Sequence, residues 1–182
     1  MKQLLPVFNL LLLTILPNNL FCAHRGEPLQ AILSSSDKPI TLATNKGFNV
    51  NLVVKPFTKE EKEVACQFAD SSFYLKDQTK SHTCIKIYQA TDPGVNTFIG
   101  FMFLSDSPCG LATEKHILDF HIIPEFQKQG IGRTTFEYVK ESFFPEIDVF
   151  KLYPLPNAVP FYEKLGFCKS GRGNLEMQWK RH

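Results

Sequence analysis

The chain of 182 residues lacks the motifs of several common functional classes. No CxxC pair occurs, which argues against a zinc site. Neither GxxxxGKS nor GxxxxGKT is present, so a nucleotide-binding P-loop is excluded. The GxG formed by Gly130 and Gly132 lacks the third glycine of the dinucleotide-binding pattern GxGxxG. The net charge is +2 with no long run of one sign, so nothing indicates nucleic acid as the main partner.

What the chain does contain is ordinary for a soluble globular protein, with 43% apolar and 21% charged residues. The length suits one domain with a substantial hydrophobic core. The 17 Phe residues predict that aromatic packing makes up much of that core. No internal repeat divides the chain.

The first 23 residues differ in composition from the rest. A short basic start at Met1 and Lys2 is followed by an almost wholly apolar run, Leu4–Leu16, and then by Ala23. This order predicts a signal peptide at residues 1–23. The cleavage region lacks the usual small residue, so an uncleaved membrane anchor is the alternative, although the run is shorter than the roughly 20 residues of a spanning helix. We expect a secreted or membrane-anchored protein, or a cytoplasmic one if the leader is misread.

The sequence leaves cysteine pairing open. The chain has Cys22, Cys66, Cys84, Cys109 and Cys168 at wide and irregular spacing. If the leader is removed, four remain, and an exported protein could join them in disulfides. Buried free thiols fit the same spacing equally well.

Secondary-structure signals indicate one mixed α/β domain. Residues 24–48 are polar and mixed, which predicts a linker or else a loosely packed entry segment, and the domain is predicted to span 49–182. A capping box at Thr58 and Glu61 predicts the start of the first helix. The predicted strands are 49–56, 84–89, 98–104, 117–123, 149–153 and 175–179, and the two later helices are 130–144 and 157–165.

A glycine-containing turn follows the fourth predicted strand. Pro124 ends the strand, and residues 127–132 (Gln-Lys-Gln-Gly-Ile-Gly) lead directly into a helix. Glycine lets backbone N–H groups approach a ligand closely, and the first N–H groups of a helix have no partner within it. With the helix dipole they suit a pyrophosphate, and Lys128 and Arg133 could add charge at the rim. On its own, the GxG fits a plain tight turn equally well.

A second motif lies further along the chain. Residues 158–167 (Ala-Val-Pro-Phe-Tyr-Glu-Lys-Leu-Gly-Phe) follow a predicted strand and form a predicted helix that Gly166 ends. The two motifs, in this order and each after a strand, resemble the GNAT superfamily of N-acetyltransferases over roughly residues 50–180. The resemblance implies the GNAT-like acyl-CoA N-acyltransferase fold, a mixed α/β fold whose mainly antiparallel sheet is flanked by helices.

The resemblance further implies that acetyl-CoA is the co-substrate and that no metal is needed. Its pantetheine arm would run along the fourth strand against the backbone of Phe120 and Ile122. Its thioester would enter between the fourth and fifth strands. The backbone amides that would hold its pyrophosphate are those of Gln127, Gln129, Gly130, Ile131, Gly132 and Arg133, with Lys128 beside them.

One departure from the family pattern concerns the cofactor arm. Family members often carry an asparagine seven residues before the helix tyrosine, and this chain has Leu155 there. The nearest asparagine is Asn157, which is the remaining candidate for that contact. The cleft near the thioester is therefore expected to differ in shape.

Direct attack of an amine on a thioester sets three chemical requirements. A base or water must take the proton of the amine, the carbonyl oxygen needs a hydrogen-bond donor, and the leaving thiolate needs a proton. Tyr162 matches the family tyrosine that serves as the acid, and a phenol of pKa about 10 suits this role. The N–H of Ile122 could be the donor to the carbonyl oxygen.

The base is sought on or near the fourth strand, where the candidates are His116, Asp119 and His121. A histidine titrates near neutrality, which suits a base. The loose alternation of this strand predicts that Ile117, Asp119 and His121 share one face and that Leu118 lies on the other. Asp119 and His121 could then act as a pair. Many family members use only ordered water, so none of the three need take part.

Two hypotheses of function remain. The first is an N-acetyltransferase that transfers an acetyl group from acetyl-CoA to a primary amine of a small molecule or protein. The second is a non-catalytic GNAT-fold binding domain, exported or membrane-anchored, since acetyl-CoA is a cytosolic metabolite. No residue in the sequence identifies the acceptor.

Overall fold

A computed structural model describes residues 39–68, 82–90, 96–171 and 175–182. Its strands are β1 (Ile40–Ala43), β2 (Asn49–Val54), β3 (His82–Ala90), β4 (Asn96–Asp106), β5 (Glu114–Ile122), β6 (Val149–Leu152), β7 (Cys168–Lys169) and β8 (Met177–Lys180). Its helices are α1 (Lys59–Phe68), α2 (Ile131–Tyr138) and α3 (Val159–Lys164). A π-helical turn, Val139–Phe143, extends α2, and 3-10 turns span Pro124–Phe126 and Pro156–Ala158.

The strands form one sheet in the order β1-β2-β3-β4-β5-β6-β8-β7. Neighbouring strands are antiparallel except β5 and β6, which are parallel. The prediction of a mixed α/β fold with a mainly antiparallel sheet is confirmed. Among the described residues, none of the helices combines the length and the apolar character needed to span a bilayer. The predicted signal peptide or anchor, residues 1–23, lies outside the described residues and stays a prediction.

The first strand lies inside the segment 24–48, which the sequence predicts to be a linker. β1 pairs antiparallel with β2, and Thr41 Oγ1 donates a hydrogen bond to Asn51 Oδ1 at 2.7 Å. An edge strand of four residues carries only two half-buried side chains, Ile40 and Leu42, so its apolar pattern is too short to stand out from a loop. The linker prediction is therefore wrong for this part of the segment.

Aromatic side chains fill both faces of the sheet. Phe57 packs against Phe101 in a buried cluster that includes Ala65 of α1. On the opposite face, Phe136 of α2 packs edge-on against Phe150 of β6. These phenylalanines are all at least nine-tenths buried, so the prediction of a core rich in aromatic packing is confirmed.

The described cysteines Cys66, Cys84, Cys109 and Cys168 are all free thiols in the structure. Cys84 is buried, whereas the other three are exposed. Of the two alternatives left open by the sequence, the structure therefore has free thiols, three of them at the surface.

The start of α1 is tied to the sheet by one carboxylate. Thr58 N–H donates to Glu61 Oε2 at 2.8 Å and Glu61 N–H donates to Thr58 Oγ1 at 3.3 Å, so the predicted capping box is confirmed. Glu61 also lies 3.0 Å from Lys86 Nζ and accepts a hydrogen bond from Tyr88 OH. Lys86 is only 5% exposed, so Glu61 neutralises a buried charge.

We expect Glu61→Ala to lower the free energy of unfolding by about 3 kcal/mol, because it leaves the buried ammonium of Lys86 without its carboxylate. Glu63→Ala, at an exposed position of the same helix, is the control and should change it by less than about 0.5 kcal/mol. Urea denaturation of the two variants measures both values. Similar values for the two would contradict a stabilising role for the buried pair.

Candidate functional site

β5 and β6 part half-way along β5. They pair only from Glu114 beside Val149 to Ile117 beside Leu152. β6 ends there, whereas β5 continues to Ile122. In the described part of the chain, the backbone of β5 beyond Ile117 therefore has no strand partner on this side. Its polar groups form an unpaired strand edge, the free edge of β5, which can pair with an extended ligand.

The buried carboxylate of Glu114 holds β5 and β6 together where they pair. Glu114 accepts hydrogen bonds from Ser107 Oγ at 2.8 Å and Lys151 Nζ at 2.7 Å, and His116 Nε2 lies 2.9 Å from Glu114 Oε1. Burial opposes ionisation, but these hydrogen bonds outweigh it and lower the pKa of Glu114 to about 2. The carboxylate therefore stays charged and holds β5 to β6 up to the point where they part.

A β-bulge at Leu118 changes the direction of the side chains along β5. Asp119 lies opposite Phe103 of β4, whereas Ile117 lies opposite the adjacent residue, Leu104, so Leu118 is the extra residue. Neighbouring residues of β4 point to opposite faces. The prediction that Ile117 and Asp119 share a face is therefore wrong, because the bulge turns Asp119 toward the α1 side of the sheet.

Two residues with positive φ shape the turn after β5. Lys128 has φ 61° and Gly130 has φ 81°, and α2 begins at once at Ile131 with no side-chain cap. The first bond within the helix runs from Thr134 N–H to Gly130 O at 3.0 Å. The N–H groups of residues 131–133 come before this bond, so they have no acceptor within the helix. They lie at the positive end of the helix dipole, where an anion is favoured.

Both glycines of the turn are closely approached by other parts of the chain. A Cβ added to Gly130 would lie 2.6 Å from Asn45 Oδ1, and one added to Gly132 would lie 2.9 Å from Phe161 Cζ. A side chain at either position would therefore collide with a neighbouring side chain. The glycines leave the backbone N–H groups accessible.

A cavity of about 1000 Å³ opens between this turn and the free edge of β5. Its basic lining residues are Lys46, Lys128, Arg133 and Lys164, and none of the described residues that line it is acidic. This charge distribution suits an anionic ligand. The predicted cofactor-binding residues that line it are Phe120, Ile122, Gln127, Lys128, Gly130, Ile131, Gly132, Arg133 and Asn157.

Comparison with known proteins assigns the family. Residues 57–181 match the family model described as an acetyltransferase (GNAT) domain. The chain belongs to the GNAT family. The uncharacterised N-acetyltransferase ycf52 of Pyropia yezoensis is 30% identical to it over 151 residues, which cover 78% of each chain.

Solved GNAT structures share the fold at low sequence identity. The GNAT domain of PAT from S. lividans superposes with a TM-score of 0.56 at 12% identity, covering 79% of this chain and 97% of that one. GCN5 of Tetrahymena superposes with a TM-score of 0.51 at 13% identity, covering 72% and 94%. The predicted GNAT-like fold is therefore confirmed.

Tyr162 lies on α3 and lines the cavity. It is 7% exposed, and its ring packs edge-on against Phe161 and Phe167. Burial, with a smaller contribution from the negative charge of Asp119, raises the pKa of Tyr162. The phenol therefore stays protonated at neutral pH and can donate a hydrogen bond.

Of the predicted acid–base candidates on β5, His121 lines the cavity, whereas Asp119 and His116 do not. His121 lies opposite Phe101, on the α1 side of the sheet, with the two rings 6.1 Å apart. Burial lowers the pKa of His121, and the charge of Asp119 partly opposes this. Asp119 does not line the cavity, but its negative charge favours the protonated forms of both His121 and Tyr162.

Some predicted cofactor-binding residues make contacts within the protein. Gln127 Nε2 donates to Ile122 O at 2.8 Å, at the free edge of β5. Arg133 Nη2 donates to Lys164 O at 3.0 Å, at the end of α3. Gln129 is absent from the described residues that line the cavity, so its predicted contact finds no support there.

Several other residues that line the cavity are not among the predicted site residues. Asn45 and Lys46, in the turn between β1 and β2, line it next to the glycine turn, residues 127–132. Phe161 and Lys164 of α3 line it as well. The signal for the first two is the turn sequence Asn45-Lys-Gly47, which shows a turn but not the distant segment it contacts. Within the described residues, no three His, Cys, Asp or Glu side chains gather as metal ligands would.

Proposed function

We propose that the protein is an N-acetyltransferase that takes the acetyl group of acetyl-CoA and transfers it to a primary amine. The observation that carries the proposal is the cationic cavity that joins the glycine turn to the free edge of β5. CoA is an anion with three phosphate groups and a long arm that contains two amides. A cationic end and an open strand edge complement these two parts.

The described residues fit this ligand. The free N–H groups of residues 131–133 would hold the pyrophosphate, and Lys128 would add charge beside it. The free edge of β5 at Phe120 and Ile122 would pair with the amides of the arm. In the structure the Gln127 side chain donates a hydrogen bond to the Ile122 carbonyl. This side chain is exposed and can rotate away, which would leave the carbonyl free to pair. A tyrosine-to-phenylalanine mutant of the AtaT toxin, which superposes with a TM-score of 0.51 at 16% identity, has a solved structure with acetyl-CoA bound, which supports the same ligand here.

Bound acetyl-CoA would supply a thioester whose acetyl group passes to the amine. Tyr162 would donate its phenolic proton, or a hydrogen bond, to the sulfur as the amine displaces it. His121 is the cavity residue best suited to take the proton of the amine, directly or through water, because its lowered pKa keeps it neutral at pH 7. The N–H of Ile122 is the proposed donor to the thioester oxygen.

The alternative of a non-catalytic binding domain is not favoured, because the family match is to acetyltransferases. A retained catalytic function also accounts for a buried tyrosine that lines the cavity. For the acceptor we propose a primary amine on a small molecule or protein. We also propose that the N-terminal segment exports or anchors the protein, as its composition predicts.

Binding of CoA at the glycine turn is tested by Gly130→Glu, which should lower the affinity for CoA by about a hundredfold or more, because it places bulk and negative charge against the phosphates. The matched control is Gly110→Glu. Gly110 also has a positive φ, 70°, but a Cβ there has nothing within 4 Å, and it does not line the cavity. Calorimetric titration with CoA is the measurement. Equal affinities for the two variants would mean that the turn is only a structural turn.

The role of Tyr162 is tested by Tyr162→Phe, which removes only the hydroxyl. We expect kcat to fall by about a hundredfold while the affinity for CoA changes little, because the hydroxyl acts on the leaving thiolate. Tyr153→Phe is the control, since Tyr153 is 66% exposed and is bonded to Glu176. A steady-state assay with acetyl-CoA and an amine gives the rates. An unchanged kcat in Tyr162→Phe would remove the proposed acid.

The role of His121 is tested by the pH dependence of kcat/KM. A base with a lowered pKa is active when neutral, so activity should fall only as the pH drops below the ordinary histidine value of about 6.5. His121→Asn should lose this acidic limb and about a hundredfold of the rate. His116→Asn, outside the cavity, should keep the limb. A limb that persists in His121→Asn and vanishes in His116→Asn would assign the base to His116.

A further inference from the structure

The turn between β1 and β2, residues 44–47, rests on the glycine turn of the cavity. Lys46 Nζ donates a hydrogen bond to Lys128 O at 2.7 Å. Asn45 lies against Gly130, since a Cβ there would come within 2.6 Å of Asn45 Oδ1. Beside them, the rings of Phe48 and Phe126 meet edge-on at 6.1 Å. Three contacts thus join segments that are far apart in the sequence.

The turn is held firmly enough to position these side chains. Thr44 N–H donates to Phe48 O at 2.8 Å and Gly47 N–H donates to Thr44 O at 3.0 Å. The Thr44 hydroxyl, which is buried, accepts a further bond from Phe48 N–H at 3.0 Å. The backbone of Asn45 and Lys46 is therefore fixed by bonds on both sides, although both side chains are exposed.

The chemistry of the two side chains matches a phosphate group. The ammonium of Lys46 has three N–H donors, and the bond to Lys128 O uses one of them. The other two are available on a side chain that lines the cavity. Asn45 presents a carboxamide, with two further donors, beside the N-terminal end of α2. Charge-assisted bonds of this kind are stronger than bonds between neutral groups.

We propose that Lys46 and Asn45 bind a phosphate group of CoA, so that the β1–β2 turn completes the cofactor site from outside the matched GNAT region, residues 57–181. The proposal rests on the proposed function, because it presumes that CoA occupies the cavity. The phosphate is either one of the pyrophosphate pair or the 3′-phosphate, since both present the same oxygen chemistry. Residues 44–47, which lie before the domain start predicted at residue 49, would then be part of the cofactor site.

The test compares Lys46→Gln with Lys169→Gln in calorimetric titrations of CoA and 3′-dephospho-CoA. Lys169 is exposed on β7, at the far end of the sheet from β1, so its variant controls for the loss of one positive charge. We expect Lys46→Gln to weaken CoA binding by about tenfold or more, and Lys169→Gln to leave it within about twofold. Lys46→Arg should recover most of the affinity, because it restores the charge and the donors.

Comparing CoA with 3′-dephospho-CoA distinguishes a contact to the 3′-phosphate from a contact to the pyrophosphate. A loss seen with CoA but not with dephospho-CoA assigns Lys46 to the 3′-phosphate, and an equal loss with both assigns it to the pyrophosphate; either result supports the proposal. Equal affinities of Lys46→Gln and Lys169→Gln for both ligands would overturn the proposal alone. A wild-type protein that does not bind CoA would overturn the proposed function and, with it, this inference.

Asn45 allows a second test that does not depend on the Lys46–Lys128 bond. Asn45→Asp keeps the shape of the side chain but adds a negative charge beside the turn, so it should weaken CoA binding by about tenfold more than Asn45→Ala. Thermal unfolding of the ligand-free variants detects a purely structural effect. Weaker CoA binding by Lys46→Gln that Lys46→Arg does not recover, together with a lowered unfolding midpoint, would show that Lys46 only supports the turn and would overturn the proposal.

Discussion

The cavity depends on the short parallel pairing of β5 with β6. The pairing covers only Glu114–Ile117 and is fastened by the ionised carboxylate of Glu114, to which Lys151 binds. Because β6 then ends, the rest of β5 keeps an open edge, and the turn that follows carries the free N–H groups of α2 to the end of that edge. A longer β6 would fill the edge, and without the pairing the two halves of the sheet would lose their fixed spacing.

The cavity combines two environments that one ligand can join. At the glycine turn, basic side chains and helix N–H groups favour negative charge. At α3, the pKa of Tyr162 is raised by burial and by Asp119, so the phenol stays protonated. The burial of His121 lowers the pKa of its imidazole, which favours the neutral form. In the proposed function, phosphate recognition and proton transfer would thus be carried by different elements, which lets the binding and the chemistry be tested by separate substitutions.

Much of the fold and of the cavity could be predicted from the sequence, because their signals are local. The motif of the glycine turn, residues 127–132, and that of the helix that carries Tyr162, residues 158–167, are both short stretches of sequence. Both segments line the cavity. The bulge at Leu118 could not be predicted, because Ile117 and Leu118 are both apolar and either could face the core. The contact of Lys46 with Lys128 spans 82 residues and depends on an edge strand too short to show a pattern. Arg133 matches the cofactor motif, but its bond to Lys164 O depends on how two helices pack.

Hydrogen–deuterium exchange with and without acetyl-CoA tests the central claim most directly, because it reports on individual backbone N–H groups. If the cavity holds the co-substrate as proposed, the amides of residues 131–133 and those on the free edge of β5 should exchange more slowly when it is bound. The exchange rates of the amides of α1, which packs on the face of the sheet opposite to α2, should not change. Unchanged exchange at residues 131–133 at saturating acetyl-CoA would contradict the account, whatever slowing is found elsewhere.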